Sequence, residues 1–320
     1  MAPPRTPKRR TSAKGPPSRG PRSDSARSDK PRSTHPRSAH PRSDDRRFEQ
    51  PRHKSPRGGK PMRPSEQRRA RAAESYADLQ RVAGHAAVQA LFERSPERVQ
   101  RLFFDEPSKA LVGEWCSVLA NAHRPYRMVP PDELAKVAGT PMHGGVVALA
   151  TPKPIALLDA YAARRWADDG KLLLVLDGIG NPQNLGAIAR TAAFFGVTRM
   201  VLSDNPAQAA PSDAAYRIAE GGLDRIDLHR SGAFLRDLRT LRETYLVVGT
   251  AAVRGDSLAA LPRDKRPVAL VLGNEERGLP PATINACEAV VTLAGQGAIQ
   301  SLNVSATAAI LIHALVSRGS

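Results

Sequence analysis

Short polar side chains cluster where the last apolar segment of the chain begins. Ser301, Asn303 and Ser305 alternate with apolar residues at the start of the run 304–316, which has the composition of a largely buried helix. Backbone N–H groups at a helix N-terminus lack intrahelical partners, and with nearby hydroxyl and amide groups they bind small polar or anionic ligands. Ser or Asn at such a position also serves as an ordinary cap. The pattern therefore indicates either a binding edge or a helix cap.

Two further glycine-containing segments follow predicted strands in the same half of the chain, at 184–195 and 273–278. In an open parallel sheet, ligands bind beyond the carboxyl ends of the strands, where glycine lets backbone approach a flat ligand. Gly178 and Gly180 precede the first segment, but Gln183 stands in place of the third glycine of a dinucleotide fingerprint. The spacing therefore argues against a nicotinamide dehydrogenase, whereas ordinary turns explain each loop alone better than all loops together.

The positive charge of the chain is concentrated at its N-terminus. The 320 residues include 48 Lys and Arg against 31 Asp and Glu, and residues 1–73 carry 22 basic and 6 acidic residues, a net charge of +16. This segment contains no Val, Ile or Leu and repeats Pro-Arg-Ser, so we predict a disordered basic tail. Such an appendage suits nucleic acid or another polyanion; the alternative is a solvated tail without a specific partner.

The remaining composition indicates a cytoplasmic protein. Two cysteines, Cys116 and Cys287, cannot form a disulfide framework or a Cys-rich metal site. No apolar run reaches the roughly 18 residues of a membrane helix, and charge with proline occupies the place of a signal-peptide core. The Arg- and Ser-rich start resembles a transit peptide, but its acidic residues and dense proline argue against one. We expect neither a membrane segment nor a bound metal.

Residues 74–152 predict a small α/β domain, entered through a short helix over 64–79. Alternating patterns predict helices over 85–94, 108–122 and 131–137 and strands over 99–104, 126–129 and 145–150. Residues 153–170 predict a linker that runs into a helix.

Residues 171–320 predict a doubly wound parallel sheet, because short apolar runs alternate with helical patterns. Arg190 lies opposite the apolar stripe of its helix and therefore faces outward. The strands are expected over 172–176, 199–202, 225–228, 245–248, 268–272 and 289–293, and the helices over 184–195, 212–219, 232–243, 279–287 and 304–316.

Three motifs in this half resemble those of a known family. In chain order they are Asn184-x-Gly186-x-x-x-Arg190-Thr191, Gly273-x-Glu275-x-x-Gly278-Leu279 and Ser301-Leu302-Asn303-Val304-Ser305. They resemble motifs 1, 2 and 3 of the SpoU/TrmH family of RNA ribose 2′-O-methyltransferases, within the SPOUT superfamily. Segments 84–91 and 143–146 are similar to the L30e-like domain of the members that modify 23S rRNA guanosine.

The resemblance implies a fold and a set of ligands. It implies a knotted (trefoil) Rossmann-like domain over 171–320, preceded by an L30e-like RNA-binding domain over 74–152. It further implies S-adenosylmethionine as cofactor, RNA as substrate (rRNA more than tRNA), no metal, and a homodimer. The last helix supports the dimer independently, because its apolar residues exceed what one sheet face needs to cover it: Ile310, Leu311, Ala314 and Leu315.

The resemblance also assigns roles to five polar residues. Arg190 is offered across the dimer to the partner's site, where a permanently charged guanidinium suits a phosphate grip better than a general base. Asn184 and Glu275 are expected to hold one another and the loop geometry. Ser301 and Asn303 orient the ribose and the methionine end of the cofactor.

Backbone of five further residues is implied to cradle the adenosine: Gly249, Thr250, Gly273, Leu293 and Leu302. One departure from the family pattern follows, because Ala294-Gly295 replaces the usual proline and large apolar residue. This change loosens one wall of the cofactor site. It leaves an alternative open, in which the chain is a catalytically weak relative that binds RNA or an assembling ribosome.

Overall fold

A computed structural model describes residues 78–262, 264–299 and 301–319. The basic tail predicted over 1–73 lies outside the described residues, as does most of the helix predicted over 64–79. All described residues belong to one compact unit, Pro61–Ser320, which contains a four-stranded and a seven-stranded sheet.

The smaller sheet is mixed and runs in the order β1-β4-β2-β3. Strand β4 pairs antiparallel with β1 and β2, and β2 pairs parallel with β3. Its strands are β1 (Gln80–Ala83), β2 (Val99–Phe104), β3 (Tyr126–Met128) and β4 (Val146–Ala150), and its helices are α1 (His85–Arg94), α2 (Gly113–Asn121) and α3 (Pro131–Ala138). The predicted α/β character of this region is confirmed.

Two details of this region differ from the sequence prediction. Strand β1 was missed, because its residue Gln80 is polar yet buried, donating from Nε2 to the carbonyl of Pro211 (3.0 Å). Helix α2 begins at Gly113, five residues later than predicted, because the side chain of Asp105 accepts the amide of Ser108 (3.0 Å) and closes a turn first. Polar side chains that bond distant or local backbone thus override the apolar pattern.

The larger sheet is parallel throughout, in the order β11-β9-β10-β6-β7-β8-β5. Its strands are β5 (Ala156–Leu157), β6 (Leu173–Asp177), β7 (Arg199–Leu202), β8 (Asp227–Arg230), β9 (Leu246–Thr250), β10 (Val268–Gly273) and β11 (Ala289–Val291). Its helices are α4 (Ala160–Ala163), α5 (Pro182–Phe194), α6 (Asp213–Ala219), α7 (Gly222–Arg225), α8 (Phe234–Leu241), α9 (Pro281–Ala286) and α10 (Val304–Gly319).

Each central strand of this sheet buries both faces. Leu174 and Leu176 of β6 enter a core shared with α5, α6 and α10, whereas Leu173 and Val175 enter a separate core with α4, α8 and α9. Successive side chains of a strand point to opposite faces, so a continuous apolar run requires helices on both sides. The predicted doubly wound parallel sheet is therefore confirmed.

The chain around β8 differs from the prediction. A strand over 225–228 was expected, but residues Gly222–Arg225 form α7, and β8 begins at Asp227 opposite Arg199 of β7. The predicted linker over 153–170 contributes β5 as an edge strand beside β8. The shift of β8 accompanies a contact between Asp224 of α7 and Arg98 that no local sequence pattern reveals.

A buried ion pair forms this junction. Nη1 of Arg98, the residue directly before β2, lies 2.6 Å from Asp224 Oδ1 of α7, and their side chains are 6% and 0% exposed. The Nζ of Lys153 donates to the carbonyls of Leu223 (2.9 Å) and Ile226 (2.7 Å). We call Arg98, Lys153 and Asp224 the junction cluster. Because a buried charge is tolerated only when paired and hydrogen-bonded, this cluster fixes the smaller sheet against the larger one.

Candidate functional site

The first two sequence motifs meet at Glu275. Its Oε1 accepts hydrogen bonds from Asn184 Nδ2 (2.7 Å) and from the amide of Asn181 (3.2 Å), and its Oε2 accepts from the amide of Gly180 (3.2 Å). The second motif therefore holds the loop and helix start that carry the first. The expected contact between Asn184 and Glu275 is present.

The third motif joins through Asn184. Asn303 Nδ2 donates to Asn184 Oδ1 (3.2 Å), while Asn303 Oδ1 accepts from the amide (2.8 Å) and hydroxyl (2.7 Å) of Ser305. Asn303 thus caps α10, as one of the two interpretations predicts, and also contacts Asn184 of α5. We call Asn184, Glu275 and Asn303 the motif cluster.

The motif cluster keeps Glu275 ionised. Burial opposes its charge, but the hydrogen bonds from Asn184 and from the amides of Gly180 and Asn181 outweigh burial, so the pKa of Glu275 is lowered. A carboxylate that accepts from several N–H donors is a stable anchor. All these groups donate to it, so Glu275 acts here as an acceptor that closes loops and not as a proton donor.

Three residues that the sequence prediction missed support the same loops. Asn274 Nδ2 donates to the carbonyl of Gly178 (2.8 Å), and the buried Gln208 accepts from the amide of Gly178 (3.0 Å). Asp177, at the end of β6, accepts from the hydroxyl of Thr283 (2.7 Å). The position of Asn274 inside the second motif, between Gly273 and Glu275, was a usable signal, whereas Gln208 lies in a segment without a recognisable pattern.

A cavity of about 440 Å³ opens beside the motif cluster, within the size range of small-molecule sites. It is bounded by the ends of β9 and β10, by the loop after β10 and by the start of α10. Seven of the residues predicted from the sequence or adjacent to them line it: Thr250, Gly273, Asn274, Glu275, Leu293, Ser301 and Leu302. Six of the ten predicted site residues therefore face one shared space, whereas Asn184 and Asn303 are connected to it through hydrogen bonds that lead to Glu275.

Gly273 has a specific structural requirement. A Cβ at this position would lie 2.5 Å from the carbonyl carbon of Gly278 and from the amide of Leu279, and no other residue type allows that approach. Asn274 and Gly278 exchange two backbone hydrogen bonds (3.2 and 2.9 Å) that close the loop. The predicted Gly249 is buried in β9 and precedes the cavity-lining Thr250 without lining the cavity itself.

Arg190 lies apart from the motif cluster. It is exposed on α5, as the helical pattern predicts, and its Nη1 lies 2.8 Å from Glu220 Oε1. Its contact with Glu220 was not predicted. Within one chain the structure therefore links Asn184, Glu275 and Asn303 by hydrogen bonds, places Glu275 and Ser301 on the cavity, and leaves Arg190 at the surface.

The segment that departs from the family pattern is open. Ala294 and Gly295 are exposed, and the run continues exposed to Ile299. Leu293 is the last residue before this run that lines the cavity. One wall of the cavity therefore lacks a large apolar side chain at the place where the family pattern has one.

Within the described ranges, no helix combines the length and apolar character needed to cross a membrane. In the same part of the chain, no group of three or more His, Cys, Asp or Glu residues is arranged to hold a metal ion.

Comparison with known proteins locates both halves in one family. Residues 171–313 match the model of the SpoU rRNA Methylase family, and residues 81–156 match the RNA 2′-O ribose methyltransferase substrate-binding model. A 23S rRNA (guanosine-2′-O-)-methyltransferase, RlmB, of Nitrosomonas europaea is 32% identical over 239 residues, 73% of this chain and 89% of the relative. An uncharacterized tRNA/rRNA methyltransferase, YfiF, of Escherichia coli O157:H7 is 33% identical over 250 residues, 78% of this chain and 70% of the relative.

Solved structures share the fold. An AdoMet-bound rRNA methyltransferase from Sinorhizobium meliloti superposes with a TM-score of 0.63 at 19% identity, covering 78% of this chain and 90% of that structure. The SpoU methyltransferase AviRb from Streptomyces viridochromogenes, in complex with AdoMet, gives a TM-score of 0.60 at 23% identity, covering 78% and 93%. With relatives above 30% identity covering most of both chains, the protein belongs to the SpoU rRNA methylase family.

Proposed function

We propose that this protein transfers the methyl group of S-adenosylmethionine to a ribose 2′-hydroxyl of structured RNA, with ribosomal RNA favoured over tRNA. The observation that carries this proposal is the hydrogen-bonded convergence of Asn184, Glu275 and Asn303, which are distant in sequence, beside a cavity that Glu275 lines. The relatives named as 23S rRNA methyltransferases support the choice of ribosomal RNA.

The residues around the cavity fit the proposed cofactor. Backbone at Thr250, Gly273, Leu293 and Leu302 offers peptide groups and apolar surface to an adenosine, and Ser301 offers a hydroxyl toward the methionine end. When bound, S-adenosylmethionine supplies a methyl group that is already electrophilic on its sulfonium, so the protein's task is to position the ribose hydroxyl. Asn303, held by Asn184, is placed to orient that ribose.

The role we assign to Arg190 is to grip the phosphate of the target nucleotide. A guanidinium stays protonated at any physiological pH, so it is a poor proton acceptor and a good bidentate partner of phosphate. Because Arg190 is exposed and does not line the cavity of its own chain, we propose that it completes the site of a second copy.

Two exposed apolar residues support such a homodimer. Phe194 at the end of α5 is 83% exposed and Ile310 of α10 is 46% exposed, and the two helices pack beside each other through Phe195 and His313 (5.5 Å between ring centroids). Of the apolar residues singled out in the sequence, Leu311 and Leu315 are buried in the chain's own core. Phe194 and Ile310 are therefore the surface that a partner would cover. Light scattering should give twice the 34.4 kDa of one chain; a monomer at micromolar concentration contradicts the dimer.

Finer features of the fold belong to the same proposal. Ser301, Leu302, Val304 and Thr307 line one cavity together with the loops after β9 and β10, which fits the trefoil knot that we propose over 171–320. The mixed sheet with α1 to α3 supports an L30e-like RNA-binding domain over 74–152, followed by a linker over 153–170. A cytoplasmic location fits an enzyme that acts on ribosomal RNA.

Calorimetry of the purified protein tests the proposal. We expect S-adenosylmethionine to bind with an affinity that EDTA leaves unchanged, because a sulfonium methyl needs no metal to be transferred. Absence of binding at millimolar cofactor contradicts the enzyme. The exposed 294–299 segment favours a second candidate, a weak relative that binds RNA through the same fold. Tight rRNA binding without cofactor binding would support that candidate instead.

A further inference from the structure

Glu220, whose side chain contacts Arg190, has an unusual backbone conformation. Glu220 follows the last residue of α6 with φ 43° and ψ 48°. This left-handed conformation is costly for a residue with a Cβ, and the position after a helix is usually glycine for that reason. Strained residues persist where surrounding structure holds them, often at functional positions. Glu220 therefore invites a functional explanation.

The neighbours of Glu220 fix its position from two sides. A Cβ on Gly221 would lie 2.7 Å from the Cβ of Ala90 in α1, and a Cβ on Gly222 would lie 2.9 Å from the Cα of Arg190 in α5. The turn thus fits between the helix of the smaller sheet and the helix that carries Arg190. Little movement of its backbone is available on either side.

Further contacts anchor the same turn to the smaller sheet. Asp224 forms the buried ion pair with Arg98, and Arg225 Nη2 lies 2.6 Å from Glu93 Oε2 of α1. The segment 220–225 therefore links the substrate-binding sheet to α5. The carboxylate of Glu220 is carried on a support that is more rigid than the long, exposed side chain it contacts.

We infer that Glu220 is a positioning residue that orients the guanidinium of Arg190 for its phosphate. The inference rests on the proposed function. Glu220 contacts one nitrogen, Nη1, at 2.8 Å, and a guanidinium has five N–H donors, so the remaining donors stay free for a phosphate. Because Glu220 already holds the guanidinium at Nη1, Arg190 loses less side-chain conformational entropy when it binds the phosphate.

An exposed ion pair of this kind contributes little to folding. The side chains of Arg190 and Glu220 are 57% and 51% exposed, and such pairs have a small effect on stability. Replacing Glu220 by glycine also relieves the left-handed strain, which offsets the greater freedom of glycine in the unfolded chain. Glu220→Gly should therefore separate positioning from stability.

The test uses steady-state methyl transfer by the full-length protein, with S-adenosylmethionine and ribosomal RNA from cells that lack the gene. We expect Glu220→Gly to lower kcat roughly fivefold to tenfold, with KM for S-adenosylmethionine and the thermal midpoint near their wild-type values. Glu220→Gln keeps an acceptor oxygen and should lose less. In an Arg190→Ala background, Glu220→Gly should have no further effect.

Glu243→Gln is the matched control, because Glu243 is 54% exposed and pairs with Arg164 far from α5 in sequence; its kcat should stay at the wild-type value. A Glu220→Gly protein with unchanged or raised kcat overturns the inference, as does an equal loss in the Arg190→Ala background. If Arg190→Ala keeps full turnover, the role proposed for Arg190 fails first. A wild-type protein that transfers no methyl group removes both proposals.

Discussion

The junction cluster and the motif cluster both tie together segments that are distant in sequence, but they differ in charge and exposure. The junction cluster buries an ion pair of 6% and 0% exposed side chains. The motif cluster surrounds one partly exposed carboxylate with neutral donors and borders a cavity. Burial without an opening serves stability, whereas hydrogen bonds at a cavity rim hold loops for a ligand. The difference indicates which polar network to assign to folding and which to function.

The largest expected effect comes from breaking the junction cluster. Asp224→Ala leaves Arg98 charged and buried without its partner, so the free energy of unfolding should fall by about 3–5 kcal/mol. Denaturant unfolding measures this loss. The double variant Arg98→Met with Asp224→Leu removes both charges and should lose less than the single variant. A loss below about 1 kcal/mol in Asp224→Ala would assign the cluster a role other than stability.

The next effect separates activity from folding at the motif cluster. Glu275→Ala removes the acceptor for Asn184 and for the amides of Gly180 and Asn181. The loop at 180–181 and the side chain of Asn184 then lose the contact that holds them in place. We expect kcat/KM to fall about 100-fold, because displacement of positioning groups by about 1 Å has that effect on catalysis. Methyl transfer to ribosomal RNA measures it, with Glu243→Gln again as control. Wild-type turnover in Glu275→Ala would break the contrast between the two clusters.

A third prediction concerns RNA affinity. The ion pair of the junction cluster is buried and the motif cluster contains no basic residue, so the positive charge that attracts RNA must lie elsewhere. Deleting residues 1–73, with their net charge of +16, should weaken RNA binding and flatten its salt dependence. Each neutralised phosphate contributes a log–log slope of roughly −0.7 to −0.9. Turnover at saturating RNA should survive. An unchanged slope would show that residues 74–320 alone bind the RNA and that residues 1–73 serve another partner.

The smallest effect is a pH dependence at Glu275. Its pKa is lowered below the usual 4.5, so its contribution to stability is present above pH 4.5 and is lost as the pH falls through the lowered value. The difference in unfolding free energy between wild type and Glu275→Gln should therefore shrink with acidification. Thermal unfolding at several pH values below neutrality measures this difference. A difference that stays constant down to pH 3 contradicts the role of the ionised carboxylate.

Much of the larger sheet followed from its sequence. Continuous apolar runs such as 172–176 can lie only between two layers of helices, and the structure places them there. The strand at 227–230 was displaced by two residues, because Asp224 and Arg98 form an ion pair that no local pattern reveals. Strand β1 was not predicted for a similar reason. Gln80 is polar but can be buried there because its side chain bonds to Pro211, more than a hundred positions away.

The candidate site was predictable where the family motifs carried it and not elsewhere. Asn184, Glu275 and Asn303 stand in recognisable spacings, and the contact between Asn184 and Glu275 was predicted, whereas the contact between Asn303 and Asn184 was not. Gln208 and Thr283 hold the same loops but lie outside any motif. One signal at Glu220 could have been used. Glutamate occupies the position directly after a helix, where glycine is preferred, and the two glycines that follow it mark that helix end. Contacts made by single residues through space require the structure.

The central claim is that the cavity beside the motif cluster is a site of ribose methylation. Mapping 2′-O-methylation across total RNA tests it most directly. The map is compared among cells from which the gene is deleted, the same cells supplied with the wild-type chain, and the same cells supplied with Glu275→Ala. We expect a specific ribose in ribosomal RNA to lose its methyl group on deletion, regain it with the wild-type chain and stay largely unmethylated with Glu275→Ala. A methylation map that is identical in all these cells would contradict the claim.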